Sequence, residues 1–410
     1  MLLAMLRTWF NSRTRWEKAA LFAWSSILVF VSVRVFISPE SKTVFPIFSA
    51  SGRFWWAGAD LYEPHRSTAV QEGFRYSPTF AILVTPFAWL PDDVGGVAWR
   101  LFNVAALFGS LAWLLQALLQ PKQPRNVLAW LMLLTMPLTL QSVNNGQSNL
   151  VVVACMVGTV AAVKEKRWNL ASGLMALAFI CKLYPVALGM LLIVLYPRQL
   201  LCRLPLTALA SMGLPFFCQS PAYVIRQYED WFALLGAEDR SAIALENMYR
   251  DLWLLIYLYG LPIGRNVYML VQVWAGVGIA LLCWHRQREG WPERTLLSSA
   301  LGLGTAWMML LGPATESSSF ALLAPSLAWS VVEALQSSEG SVRRVLLWAC
   351  CVLFGSAVLL GGFSATVKIH LFGVHAWGSL LYFVYLLTES RPRPRTTEAR
   401  QELESQRMAA

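Results

Sequence analysis

Charge is scarce in this chain. Lys, Arg, Asp and Glu together supply 14% of its 410 residues while 57% are hydrophobic, against roughly a quarter charged in an ordinary soluble domain. So much apolar surface cannot be hidden in one aqueous core, which excludes a soluble globular protein and points to the bilayer. Histidine is rarer still. The four, His65, His285, His370 and His375, include no two at ligand spacing on a common helix face, so no metal site is expected. The seven cysteines fall within apolar segments, in odd number and without regular spacing; this argues against a disulfide framework and for small buried side chains. A glycine-rich phosphate loop is missing, and no cofactor is expected. The N-terminus lacks a short apolar region followed by a small-residue cleavage site, so Leu21 to Ile37 reads as an uncleaved first span. Barrel-type alternation, internal repeats and Gly/Ser-rich linkers are absent as well, which leaves one membrane domain as the simplest partition.

What the sequence does hold is a series of apolar runs of about 15 to 26 residues, matching the roughly 20-residue helix that crosses roughly 30 Å of hydrocarbon. They predict an all-α membrane protein of about twelve transmembrane helices, with ten to thirteen compatible. The expected spans lie near 19–37, 94–119, 126–142, 149–163, 168–182, 185–196, 204–218, 266–284, 295–311, 318–335, 345–361 and 370–388. Residues 1–388 are read as a single polytopic domain with long outer loops at 38–93 and 219–265, and 389–410 as a disordered cytoplasmic tail. Thr79 to Leu90, framed by Pro78 and Pro86, is too short to cross and is expected at the interface or re-entering the protein. Leu252 to Leu261 is likewise read as amphipathic or re-entrant. The nineteen tryptophans and twelve tyrosines suit interfacial belts, and some of them the aromatic walls of a ligand site.

The formal net charge of +10 has a topological explanation. Arg7, Arg13, Arg15 and Lys18 precede the first span, and Lys122, Arg125, Lys164, Lys166, Arg167, Arg198, Arg203, Arg286, Arg288, Arg294, Arg343 and Arg344 recur at every second connection. The short connections on the other side offer only Lys182 and Lys368. The positive-inside rule then puts both termini in the cytoplasm. No basic patch forms within one folded unit, and nucleic acid is not an expected partner.

With that orientation, the polar residues that are unusual for membrane segments sort to the outer face. Asn145, Gln147 and Asn149 stand in the connection after the third span; they serve either as turn and cap residues or as amide donors and acceptors for sugar hydroxyls. Lys182 follows the fifth span, and either snorkels to the interface or contacts a phosphate. Glu316 follows the ninth, as a solvated loop acid or a functional carboxylate. Asp60, Tyr62, Glu63, Arg75 and Tyr76 crowd the first outer loop, where an interfacial helix with aromatic anchors is the plain alternative to a substrate wall. Arg34 and Arg100, near outer helix ends, read as snorkelling or structural pairing.

The order of these elements carries a resemblance. Phe48-Ser49-Ala50, Gly58-Ala59-Asp60-Leu61-Tyr62, Arg75-Tyr76-Ser77-Pro78, Leu90-Pro91, Trp99, Asn103, Asn145-Gly146-Gln147-Ser148-Asn149 and Lys182-Leu183-Tyr184-Pro185 together resemble the polyprenyl-phosphate-mannose-dependent mannosyltransferases, membrane enzymes of the GT-C fold. The likeness covers roughly residues 20 to 335, and the Gly-Gln-x-Asn and Lys-x-x-Pro elements are its most telling parts. It implies a GT-C-like bundle with outer-face interfacial helices in the first long loop. It also implies transfer of a sugar, usually mannose, from a polyprenyl-phosphate carrier to a glycan, lipid or protein acceptor on the non-cytoplasmic face of the plasma membrane. Besides this donor and acceptor, membrane lipids are the expected partners.

In such a transfer a carboxylate takes the acceptor proton while cations hold the departing phosphate. Lys182 and Arg75 are the phosphate candidates. Members of the family carry an aspartate about four residues before an aromatic that Phe48 matches, and here Val44 or Thr43 stands at that place. Glu40, Asp60 and Glu63 are the nearest carboxylates, with Glu316 reaching from the far side of the pocket. A transporter or lipid flippase is the rival from another class, but it predicts ionisable groups near mid-membrane and repeat symmetry. A catalytically inactive relative that binds lipid-linked sugar is the third reading, motivated by Val44.

Overall fold

The structure is a computed structural model that describes residues 11–62, 73–118, 126–237, 248–312, 315–336, 340–361 and 372–390. Among these the chain is helical throughout, with no strand. The helices are α1 (Arg15–Ile37), α2 (Phe45–Ala57), α3 (Pro78–Ala88), α4 (Asp92–Leu118), α5 (Val127–Asn145), α6 (Asn149–Lys164), α7 (Trp168–Cys181) and α8 (Val186–Leu195), then α9 (Arg203–Gly213), α10 (Pro221–Ala237), α11 (Leu252–Leu258), α12 (Arg265–Arg288), α13 (Glu293–Leu311), α14 (Ala324–Gln336), α15 (Ser341–Gly361) and α16 (Val374–Leu387). Among the described residues a helical segment lies within each stretch expected as a span, although α8, at ten residues, is no longer than α3. Six stretches are long and apolar enough to cross a membrane: α1, α4, α5, α12, most of α15 and Pro197–Phe217, which contains α9. The other apolar helices are shorter, α6, α7, α8 and α16 among them. At 1.5 Å per residue α3 and α11 reach only about 16 and 10 Å, too short to cross, as the brevity of Thr79–Leu90 and the basic residues after Leu252–Leu261 suggested.

Local signals explain several boundaries. Thr14 and Glu17 form a reciprocal capping box at the start of α1, and Asp251 starts α11 by accepting the Trp253 N–H at 3.1 Å; both satisfy donors that a helix start leaves open. Two helices end on glycines in the left-handed region, α2 at Gly58 and α5 at Gly146.

Helix α6 is the centre of the bundle. Every residue from Asn149 to Val163 is buried, as expected for a helix apolar on all sides. Its valines, alanines and Gly158 let α4 and α7 come close, the packing that substitutes in lipid for a hydrophobic driving force. Around it, α1, α12 and α15 are peripheral and expose apolar rows such as Phe22 and Phe30, Val273 and Trp274, and Val345 and Val352. Those rows face lipid. At one end of the bundle ion pairs tie helix ends together: Lys164 to Glu293 (2.6 Å), Arg286 to Glu389 (3.0 Å) and Arg294 to Glu333 (3.2 Å). The other end, where α5 meets α6, α7 meets α8 and α13 stops, holds the polar residues discussed next.

Candidate functional site

The turn from α5 to α6 is built by two arginines. Arg100, on α4 and 1% exposed, donates from Nε to Val143 O (2.9 Å), from Nη1 to Gly96 O (2.9 Å) and from Nη2 to Thr43 Oγ1 (2.8 Å) and Asn144 O (3.0 Å). Arg34 donates from Nη1 to Ser41 O (2.9 Å) and from Nη2 to Asn144 O (2.6 Å). Both cations therefore serve the carbonyl end of α5, where the helix dipole favours positive charge. Gly146 follows at φ +68°, and a Cβ there would stand 2.9 Å from Arg100 Nη2. Only glycine meets both demands, the left-handed backbone and the close approach. The Val44 N–H donates to Asn145 O at 2.9 Å, so the stretch where a family aspartate is expected is itself part of this clamp.

Past the clamp, the chain delivers its polar side chains inward. Gln147 is buried, and its Oε1 accepts the Tyr76 hydroxyl at 3.2 Å. Asn149 Nδ2 donates to Ser318 O (2.8 Å) and Ser142 Oγ (3.0 Å), which ties α6 to the short helical segment Ser317–Leu322. Tyr76 arrives through its neighbour: Ser77 Oγ accepts the Phe80 N–H at the start of α3 and donates to Ile180 O at 2.9 Å, in the last turn of α7. The Tyr76 ring stacks on Phe80 (4.5 Å between centroids) and meets the Phe48 ring edge-on at 5.0 Å. Burial raises its hydroxyl pKa, with Lys182 opposing.

Lys182 ends α7 in extended geometry. Half-buried, its ammonium sits 5.5 Å from the centroid of the Tyr184 ring and within electrostatic reach of Tyr184, Tyr76 and Glu316. Among the described residues no carboxylate lies within ion-pair distance of it. Glu316 is exposed at the head of Ser317–Leu322 and accepts the Ser318 hydroxyl at 3.3 Å. Arg250 joins the same group from the second outer loop, its N–H donating to Thr315 O at 2.7 Å. Burial lowers the Arg250 pKa and the charge of Glu316 opposes the shift. Ser148 Oγ lies within hydrogen-bonding reach of Tyr76 and Tyr184 Oη within reach of Lys182, while the buried Asn149 Oδ1 has no partner among the described residues. A cluster of hydroxyls and amides beside a cation and a carboxylate is suited to a polar ligand. Two shallow hollows of about 740 and 400 Å³ lie elsewhere, along lipid-facing α1, lined mainly by residues such as Phe22, Phe30 and Leu140.

The structure thus brings together Tyr76, Gln147, Asn149, Lys182 and Glu316. Asp60, Tyr62 and Arg75 belong to a second, adjoining cluster with α10. There Asp60 accepts the Tyr62 N–H at 2.9 Å and pairs with Arg226 at 3.5 Å, Tyr62 Oη donates to Tyr76 O at 2.8 Å, and Trp231 Nε1 donates to Arg75 O at 3.2 Å. Burial raises the Tyr62 hydroxyl pKa, and the Tyr223 hydroxyl is pushed up to about 12 by burial and by Asp60. Glu40 is exposed on the turn between α1 and α2. Asn145 Oδ1 accepts from its neighbour Asn144 at 3.2 Å. Glu63 lies outside the described residues, as does the tail from Arg391. Sequence reasoning did not single out Arg250, Ser148 or Tyr184. Tyr184, within the Lys-x-x-Pro element, was visible as a motif residue, whereas Arg250 was one charge among many in a long loop.

Fold and site together define an integral membrane protein with a polar cluster at one end of its helices. It belongs to glycosyltransferase family 87, whose profile matches residues 74–313, a stretch that takes in Tyr76, Gln147, Lys182 and Arg250 and stops just short of Glu316. The chain is 27% identical over 326 residues, 77% of its length and 75% of the other's, to the polyprenol-phosphate-mannose-dependent alpha-(1-2)-phosphatidylinositol pentamannoside mannosyltransferase of Mycolicibacterium smegmatis. Among solved structures it is similar to ArnT from Cupriavidus metallidurans bound to undecaprenyl phosphate, at 14% identity and a TM-score of 0.44, covering 89% of this chain and 77% of that one.

Proposed function

We propose that this glycosyltransferase moves a sugar, most readily mannose, from a polyprenyl-phosphate carrier to an acceptor on the non-cytoplasmic face, with both termini in the cytoplasm. The observation that carries the reading is the convergence of Lys182, Tyr76, Glu316 and Arg250 from four separate parts of the chain at one end of the bundle. A lipid carrier reaches such a site through the bilayer, and the site needs only to hold a phosphate, a sugar ring and an acceptor hydroxyl. Lys182 and Arg250 neutralise the phosphate. Ser148, Asn149 and Tyr184, which bring two hydroxyls and an unpartnered amide oxygen to the cluster, are suited to sugar hydroxyls. Among the described residues Glu316 is the carboxylate nearest this machinery, and it accepts the acceptor proton. The acceptor oxygen attacks the anomeric carbon, the bond from that carbon to the phosphate oxygen breaks, and polyprenyl phosphate leaves with its charge held by the two cations. The donor named for the mycobacterial relative fits this division of labour.

The test incubates membranes containing the protein with radiolabelled polyprenyl-phosphate mannose and an extract of lipid and glycan acceptors. Transfer in the parent, its loss in Lys182→Met and Glu316→Gln, and its persistence in Glu40→Gln are the expected results. Full transfer in Glu316→Gln with loss in Asp60→Asn moves the base to the α10 cluster. Absence of transfer from any polyprenyl-phosphate sugar, with the carrier still bound, overturns the reading in favour of an inactive binder, the alternative that Val44 favours.

A further inference from the structure

Helix α10 carries three stripes. Gln219, just ahead of it, and Tyr223, Gln227 and Trp231 stand four residues apart, nearly in line on one helical face. Each is hydrogen-bonded to the backbone of the first outer segment. Gln219 Nε2 donates to Trp55 O (2.7 Å), Tyr223 Oη to Ala59 O (2.6 Å) and Trp231 Nε1 to Arg75 O (3.2 Å), while Gln227 Oε1 accepts the Leu61 N–H (2.9 Å). Bonds to backbone fix where the chain runs, and the chain so fixed leads directly into Tyr76.

A second stripe, Ile225, Phe232 and Leu235, is apolar and exposed. The third holds the charges of Arg226, Glu229 and Asp230. At 100° per residue Ile225 and Phe232 fall within about 20° of each other on the side away from Tyr223 and Gln227, with Arg226 and Glu229 between the two sides. The apolar stripe begins where another lipid-facing surface leaves off: Phe216 and Phe217 are exposed at the end of Pro197–Phe217, a segment apolar enough to cross a membrane. One apolar face, one charged face and a position directly after a span are the marks of a helix lying in a membrane surface.

We propose that α10 is seated in the lipid surface by Ile225, Phe232 and Leu235 and, through Gln227 and Trp231, straps the first outer segment so that Tyr76 meets Gln147 beside Lys182. The bilayer then forms part of the scaffold of the site. Ile225 and Phe232 anchor the strap, and Gln227 and Trp231 are positioning residues. The lipid seat is independent of the transfer reaction; only the kinetic test of positioning rests on it.

The seat is tested on the full chain in phosphatidylcholine vesicles, with nitroxide labels at Phe232→Cys and Glu229→Cys in a background freed of native cysteines. Relaxation of the Phe232 label by dissolved oxygen, and of the Glu229 label by a water-soluble nickel chelate, is expected. Equal access of the chelate to both labels, as when a soluble partner covers the stripe, overturns the seat. For the strap, Gln227→Met keeps the length of the side chain and removes the amide whose oxygen accepts the Leu61 N–H. It is expected to broaden the distance distribution between labels at Arg75→Cys and Ser41→Cys and to raise the donor KM about three- to tenfold, with kcat and melting temperature held. An unchanged distribution, or a melting temperature that falls with KM unmoved, overturns the positioning role.

Discussion

Replacing Arg100 with methionine tests whether the end of α5 is held by charge or by packing. The guanidinium is buried with no carboxylate within ion-pair distance among the described residues, and its donors go to three carbonyls and the Thr43 hydroxyl. Hydrogen bonds from a charged donor contribute about 1.5–3 kcal/mol each, but the full sum is not lost. Val143 O keeps the Gly146 N–H, Asn144 O keeps Arg34, and Thr43 Oγ1 keeps the Phe45 N–H. Methionine also removes the cost of burying a cation. The net expectation is the loss of about two bonds' worth, roughly 2–4 kcal/mol. The turn that carries Gln147 and Asn149 then relaxes, and transfer falls about 10- to 100-fold. Thermal denaturation in detergent, read beside transfer in vesicles, checks both halves. Arg100→Lys keeps the charge but not the fork, and is expected to recover less than half of the lost stability. A methionine variant with the parent's melting temperature and full transfer would refute the account of the clamp.

Other outcomes follow from the same geometry. Lys182→Met is expected to lower kcat about 10²- to 10³-fold by removing a cation from the departing phosphate, with the melting temperature within a degree or two of the parent. Glu316→Gln should cost about 10²- to 10⁴-fold in kcat if the carboxylate takes the proton; equal transfer at every pH removes it from that role. Gly146→Ala forces a side chain into the left-handed region against Arg100 and should destabilise the chain by about 1–3 kcal/mol, read as a lower melting temperature. Ser41→Cys and Ser341→Cys, both at exposed positions, should react with impermeant maleimide from opposite faces of the membrane. Labelling of both from one face refutes the orientation.

Much of the architecture was legible in the chain because the bilayer leaves few choices. Apolar runs of spanning length must become helices whose backbone groups are satisfied internally, and among the described residues each expected stretch holds a helical segment. Which connections share a face followed from the arginines and lysines, and that alone assigned Gln147, Lys182 and Glu316 to one end of the bundle. The partners of each charge were not legible. Asp60 and Glu316 look alike in sequence, as acids in outer loops, yet one pairs with Arg226 on α10 and the other lies beside Lys182. That difference depends on contacts between residues more than a hundred positions apart, which no local pattern encodes. The role of Arg100 was hidden for the same reason: a lone arginine in an apolar helix is costly until the carbonyl end of α5 is brought to it. The sequence by itself determined the membrane class, the all-helical build and which polar residues share an end. Only the tertiary structure decided which side chains meet there, because side-chain contacts arise from how helices pack, and the packing of one helix end against another is set by the whole bundle.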